Sequence, residues 1–105
     1  MIYEIDPHSA YEKIKLKQAI LIDVREKHEF EICNIQPSEL MPMSIFNPQK
    51  INNLDQNEII FYCRSGVRSF FAAQKYFEYN KNIQVYNLTG GINAWKVCNL
   101  SLVVV

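Results

Sequence analysis

A chain of 105 residues suits one domain and is too short to be divided, because smaller pieces could not bury a core. Apolar residues make up 49% and charged residues 21%, an ordinary globular balance. Lysine plus arginine equal aspartate plus glutamate, so no global basic field exists to hold nucleic acid or an anionic membrane, and any anion must be met by a local site.

Met1-Ile2-Tyr3-Glu4-Ile5-Asp6-Pro7 lacks the basic-then-apolar layout of a secretion signal, and no apolar run approaches a membrane span. The expectation is a cytoplasmic protein with no membrane and no nucleic-acid partner, with an organelle route left open. Asp6-Pro7 reads as an N-cap followed by proline at the first helical position, and Ala10, Tyr11 and Ile14 carry helical spacing to about residue 17. Ala19 to Val24 is an apolar run interrupted only by Asp23, the pattern of a strand buried on both faces. Glu26 to Ile32 suits a short helix, and Leu40 to Met43 has room for a short strand between Pro37 and the next break. Asn47-Pro48 starts a helix to about Asn53, and Asp55-Gln56-Asn57 is a loop. Glu58 to Cys63 is a second buried strand. From Val67 to Tyr79 a helix places Phe70, Phe71, Ala73, Tyr76 and Phe77 at core-facing spacings. Val85 to Leu88 is the next strand, Thr89-Gly90-Gly91 a turn, and Ile92 to Val97 a short helix carrying the only tryptophan, Trp95.

Strand and helix alternate, which predicts an α/β fold: a central parallel sheet with helices on both faces. Right-handed crossovers then bring the strand C-terminal ends to one edge, where ligands of open α/β sheets bind. Asp23, Cys63 and Leu88 all end strands, so the loops after them should converge.

Three cysteines, Cys33, Cys63 and Cys98, are widely spaced with no CxxC pair, which argues against a zinc site or a paired redox motif. A small buried hydrophobe is the plain reading of Cys98. Cys63 differs, because it ends a strand and a helix begins a few residues later, in Cys63-Arg64-Ser65-Gly66-Val67-Arg68. A tight loop there points backbone N–H groups at a common centre, and the helix start adds partial positive charge. Arg64 and Arg68 add two full charges nearby, with the direction of Arg64 left open. These features predict a thiolate nucleophile. Gly66 permits backbone conformations that other residues resist, and Ser65 and Ser69 can donate hydroxyl hydrogen bonds into the loop or cap the helix. The plain alternative is a structural cysteine beside an exposed turn. Cys33 reads as a partly buried cysteine at a helix end, against the alternative of a resolving thiol for Cys63. His8 and His28 show no ligand spacing and read as surface residues. No cofactor or metal motif is present.

Four stretches in order resemble the signatures of the rhodanese family: Leu21-Ile22-Asp23-Val24-Arg25-Glu26 with Glu29-Phe30, then Ile60 to Ser69, Val85 to Leu88, and Thr89 to Trp95. They span roughly residues 5 to 97 of a single domain covering 1–105. The resemblance implies a sulfurtransferase. A donor such as thiosulfate or a persulfide would pass a sulfane sulfur to Cys63, and a thiol, cyanide or a carrier protein would remove it. By the same resemblance residues 64 to 68 form the persulfide cradle, and Asp23 and Arg25 support the loop and the site mouth, structurally rather than chemically. The family's Gly-His-Ile and Pro-Gly-Ala are replaced here by Cys33-Asn34-Ile35-Gln36-Pro37-Ser38-Glu39, so a longer or differently shaped loop is expected after Ile35. The wording Glu-Ile-Cys-Asn-Ile is similar to rhodanese domains joined to adenylating enzymes of cofactor synthesis, which brings in an adenylating or sulfur-carrier protein as partner. The alternatives are a protein-to-protein persulfide relay, a non-enzymatic binding module, and a cysteine phosphatase. The last fits poorly, because phosphatase loops place five residues between cysteine and arginine and only four separate Cys63 from Arg68.

Overall fold

A computed structural model describes residues 1–51 and 58–104. In chain order the strands are β1 (Ile2–Ile5), β2 (Ile20–Asp23), β3 (Cys33–Asn34), β4 (Glu39–Leu40), β5 (Glu58–Tyr62), β6 (Gln84–Leu88) and β7 (Val103–Val104). The helices are α1 (Pro7–Lys15), α2 (Lys27–Ile32), α3 (Val67–Tyr79) and α4 (Gly91–Val97). Five strands make one parallel sheet in the order β1-β6-β5-β2-β4, and β3 pairs antiparallel with β7 beside it.

The alternation of side chains along a strand divides the core in two. On one face Ile60 and Tyr62 of β5 pack with Leu21, with Ala10 of α1 and with Ile92 and Trp95 of α4. On the other, Ile59, Phe61 and Cys63 pack with Ala72, Ala73 and Tyr76 of α3. Helices therefore cover both faces, as the alternating pattern predicts. Local chemistry starts them: Asp6 accepts the Ser9 N–H at 2.9 Å with Pro7 behind it, and Glu26 and Glu29 form a reciprocal capping box at α2. The Trp95 indole N–H donates to the Ser101 carbonyl at 2.9 Å, tying the tail after α4 to the core.

Several expectations change. β1 is a strand the sequence does not announce, because it is an edge strand with Tyr3 and Glu4 exposed rather than an apolar run. The mini-sheet of β3 and β7 is likewise unforeseen: two-residue strands carry no periodicity. The helix expected from Pro48 is a single 3-10 turn, Pro48–Lys50, after which Ile51 is extended; its expected continuation to Asn53 and the loop Asp55 to Asn57 lie outside the described residues. The short strand expected at 40–43 is Glu39–Leu40, and Met43 already begins a 3-10 turn.

Phe70 and Phe71 do not face the core. They are 37% and 55% exposed, because Ser69, Ala72, Ala73 and Tyr76 occupy the face of α3 that meets the sheet. Cys98 is only half-buried. His8 and His28 are exposed, as expected. Substituting Tyr76→Ala should cost about 3–5 kcal/mol of unfolding free energy, by loss of a buried aromatic ring. Phe71→Ser should change it by less than about 0.5 kcal/mol, and urea titrations of both variants check the assignment of faces.

Candidate active site

Pairing of β5 with both β2 and β6 sets the ends of three strands side by side, so the loops after Asp23, Tyr62 and Leu88 meet at one edge. Four of the buried polar side chains among the described residues, Asp23, Arg25, Ser69 and Asn87, belong to these strand ends, the residues just after them or the first turn of α3.

Cys63 leaves β5 and is 1% exposed. Its Sγ accepts the Gly66 N–H at 3.1 Å, the Ser69 N–H at 3.4 Å and lies 3.3 Å from the Ser69 hydroxyl. The chain turns this tightly because Gly66 stands at φ 104°, a left-handed conformation that a residue with a Cβ rarely takes, and α3 begins directly after it. The start of α4 holds the loop from behind. The N–H of Ile92 donates to the Cys63 carbonyl at 2.9 Å and that of Asn93 to the Arg64 carbonyl at 3.1 Å. With these carbonyls drawn outward, the loop's N–H groups are left facing the sulfur. Gly91 makes the contact possible: at φ 59° it lies against the Cys63 and Arg64 carbonyls, where a Cβ would collide with both.

Burial by itself would raise the Cys63 thiol. The hydrogen bonds from the Ser69 hydroxyl and from the N–H groups of Ser69, Gly66 and Ser65 outweigh it, and the net direction is down. The Ser69 hydroxyl has one proton and two acceptors, since it also lies 2.5 Å from Asn87 Oδ1. Asn87 Nδ2 faces the Glu4 carboxylate at 3.0 Å and the Gly66 carbonyl at 3.0 Å, which fixes the orientation of its amide. Ionisation of the sulfur therefore draws the hydroxyl proton away from Asn87.

The two arginines of the loop behave differently from expectation. Arg64 is exposed. Arg68 is held by Glu29 in a two-point ion pair, Nη1 to Oε2 at 2.7 Å and Nη2 to Oε1 at 2.9 Å. Hydrogen bonding to Arg68 holds the Glu29 carboxyl down to about 2. Hydrogen bonds rather than the arginine charges thus dominate the lowering at the sulfur. Ser65 and Val67 of the loop are exposed.

Asp23 and Arg25 form a buried pair, Nη2 to Oδ2 at 2.8 Å, and the same Nη2 donates to the Cys33 carbonyl at 2.7 Å. The guanidinium lies 5.6 Å from the Tyr62 ring centre. Tyr62 in turn accepts the Ile35 N–H at 3.1 Å, which anchors the altered stretch Cys33 to Glu39 onto β5. Cys33 is a free, buried thiol in the core on the α1 and α4 face, whereas Cys63 belongs to the α3 face, so the plain reading of Cys33 fits better than a resolving partner.

The rhodanese-like domain family matches residues 6–98. This chain belongs to the rhodanese family. It is 30% identical over 105 residues to a sulfurtransferase of Allochromatium vinosum, covering 98% of this chain and 96% of that one. It is 35% identical over 97 residues to YtwF of Bacillus subtilis, covering 90% and 91%. Among solved structures, a rhodanese-related protein from Thermoplasma volcanium superposes with a TM-score of 0.80 at 27% identity, covering 96% and 97%. Some relatives are longer: the chain spans 62% of Bacillus subtilis YqhL, and 21% of an adenylyltransferase and sulfurtransferase of Sclerotinia sclerotiorum, to which it is 32% identical over 97 residues.

Two residues of this rhodanese site escape the sequence reading. Asn87 looks like one more strand residue, although a polar side chain inside Val85-Tyr86-Asn87-Leu88 is itself a signal, since buried amides need partners. Glu29 is visible only as part of a signature, although its spacing from Glu26 marks the capping box. Removing the hydroxyl with Ser69→Ala should move the pH midpoint of Cys63 alkylation by iodoacetamide upward. Thiolate then appears only at higher pH, and an unchanged midpoint would mean that the hydroxyl stays on Asn87. Gly91→Ala should lower stability by more than about 1 kcal/mol, through collision and positive φ together, as read by thermal melting.

Proposed function

We propose that this rhodanese domain is an enzyme that carries a sulfane sulfur as a persulfide on Cys63. The observation that supports this best is the buried Cys63 sulfur in a cup of N–H and O–H donors, with the net titration direction of the thiol downward. In the first half-reaction the Cys63 thiolate attacks the outer sulfur of a donor, thiosulfate or a persulfide. The donor's S–S bond breaks, and sulfite or a thiolate leaves with the electron pair. The new terminal sulfur extends about 2 Å beyond Sγ, toward the mouth of the cup, where further loop N–H groups stabilise its negative charge. In the second half-reaction a thiolate or cyanide attacks that terminal sulfur, and Cys63 departs as the thiolate that the cup already stabilises.

The loop residues Arg64, Ser65, Gly66, Val67 and Arg68 shape the cradle, with Ser69 as hydroxyl donor. Asp23 and Arg25 brace the strand end and the Cys33 carbonyl, outside the chemistry. No step calls for a cofactor. The site lies within the cytoplasm in this reading. The acceptor includes a sulfur-carrier protein, a reading supported by the relative named an adenylyltransferase and sulfurtransferase. The same cup would serve a relay that passes sulfur from one protein to another with little free turnover. A phosphatase is disfavoured, because four residues between Cys63 and Arg68 make a small cup and Arg68 is already taken by Glu29.

Intact-mass measurement after treatment with thiosulfate or a hydropersulfide should show the gain of one sulfur atom, absent in Cys63→Ala and released by cyanide. No gain with any donor would sink the proposal.

A further inference from the structure

The sulfurtransferase reading leaves the donor open, and the charges around the cup narrow it. Arg68 is the cation of the loop nearest the first turn of α3. Both of its terminal nitrogens are occupied by Glu29, at 2.7 and 2.9 Å. Glu29 is itself anchored, because its Oε2 accepts the Glu26 N–H at 2.9 Å in the capping box. The pair is partly buried, with side-chain exposures of 37% and 22%, so solvent does not readily separate it. Arg25 is likewise committed, to Asp23 and the Cys33 carbonyl.

Arg64 is exposed and lines the cleft on the α4 side with Glu29, Asn93 and Lys96, where water screens its charge. On the other side of the loop the wall is apolar. Val67, Phe70 and Phe71 line an open pocket with Ser65 and Gly66, and the one charge there is the carboxylate of Glu4. A donor crossing that wall meets no unpaired fixed cation among the lining residues.

Thiosulfate would bring two negative charges to an anionic sulfur. An uncharged hydropersulfide brings none, and its carbon group has an apolar wall to lie on. We infer that Glu29, by engaging both terminal nitrogens of Arg68, makes this site select low-charge persulfide donors over small dianionic donors such as thiosulfate. Glu29 acts through Arg68 and is a specificity-determining positioning residue; the inference rests on the persulfide reading of Cys63. With thiosulfate, the Cys63 thiolate bonds to the sulfane sulfur, the S–S bond breaks and sulfite leaves with two negative charges. With a hydropersulfide R–S–SH, Cys63 bonds to the outer sulfur, the S–S bond breaks and RS⁻ leaves, taking up the persulfide's proton from water or from the product. The charge on the enzyme sulfur is the same after both; only the approach of the donor differs.

The test is the single-turnover rate of sulfur gain by intact mass, with thiosulfate and with an uncharged alkyl hydropersulfide as probes. Glu29→Gln keeps a carbonyl oxygen for the Glu26 N–H while freeing the charge of Arg68. It should raise the thiosulfate rate about tenfold or more, as a close unpaired cation attracts the dianion, and change the hydropersulfide rate by less than about threefold. Adding Arg68→Gln to that variant should return the thiosulfate rate to near the parent value. A purely structural role for Glu29 would move both donors together. In the parent protein, where no variant needs to fold, the thiosulfate rate should rise with ionic strength as screening weakens like-charge repulsion. A thiosulfate rate unchanged in Glu29→Gln, an equal rise for both donors, or a parent rate that falls with salt would each overturn the inference while leaving the persulfide reading intact. Failure of both probes to load sulfur onto the parent protein would overturn that reading, and the inference with it.

Discussion

A sulfur anion at the end of a buried strand has lost its water and must find hydrogen bonds in the protein. Cys63, with 1% of its surface exposed, is in that position, and the surrounding backbone is arranged to meet the need. Loop N–H groups can face inward only if the neighbouring carbonyls face outward, and outward carbonyls need donors of their own. The first N–H groups of α4 supply them, from the loop that follows the adjacent strand. The site is thus a contact between two strand-to-helix loops. It exists because β5 and β6 are paired in parallel and in a register that ends both at the same level. Two glycines make the contact sterically possible: Gly66 at the turn into α3 and Gly91 against the back of the cysteine loop.

Charge plays a smaller part at the sulfur than the two arginines of the loop suggest. Arg68 is neutralised by Glu29 and Arg64 stands in water, so short-range hydrogen bonding remains the larger influence. The buried pair of Asp23 and Arg25 acts at a distance from the chemistry. It joins the end of β2 to the start of β3 through the Cys33 carbonyl, and removing one partner of such a pair typically costs about 3–5 kcal/mol, because the other is left charged and buried. Its value lies in holding the mouth in place rather than in contacting a substrate.

Asn87 links these layers. Its amide bonds the Gly66 carbonyl and the Glu4 carboxylate on one side and meets the Ser69 hydroxyl on the other. Through Glu4 it also couples the cup to β1, the edge strand, and Thr89 bonds the same carboxylate at 2.9 Å. The N-terminal strand, remote in sequence from the cysteine, is therefore part of the support for its hydroxyl donor. The exposed face of α3 extends the same region outward, since Val67, Phe70 and Phe71 continue from the loop as an apolar wall.

Much of this architecture was legible in the chain itself. Continuous apolar runs at Ala19–Val24 and Glu58–Cys63 marked strands buried on both faces, and the span of α3 follows directly from its spacing. The cysteine at a strand end before Arg-Ser-Gly-x-Arg pointed to the reacting atom, because strand-to-helix loops gather N–H groups by local geometry alone. What the sequence did not reveal is what depends on neighbours far along the chain. The outward face of Phe70 and Phe71 is set by which side of α3 meets the sheet, and the strand character of β1 by its pairing with β6. The neutralisation of Arg68 is set by a carboxylate 39 residues away, delivered by a capping box whose own logic is local. Local pattern determined the elements and the nucleophile; which charges and surfaces surround that nucleophile was decided only when the strands were laid side by side, because burial and ion pairing are properties of the packed chain.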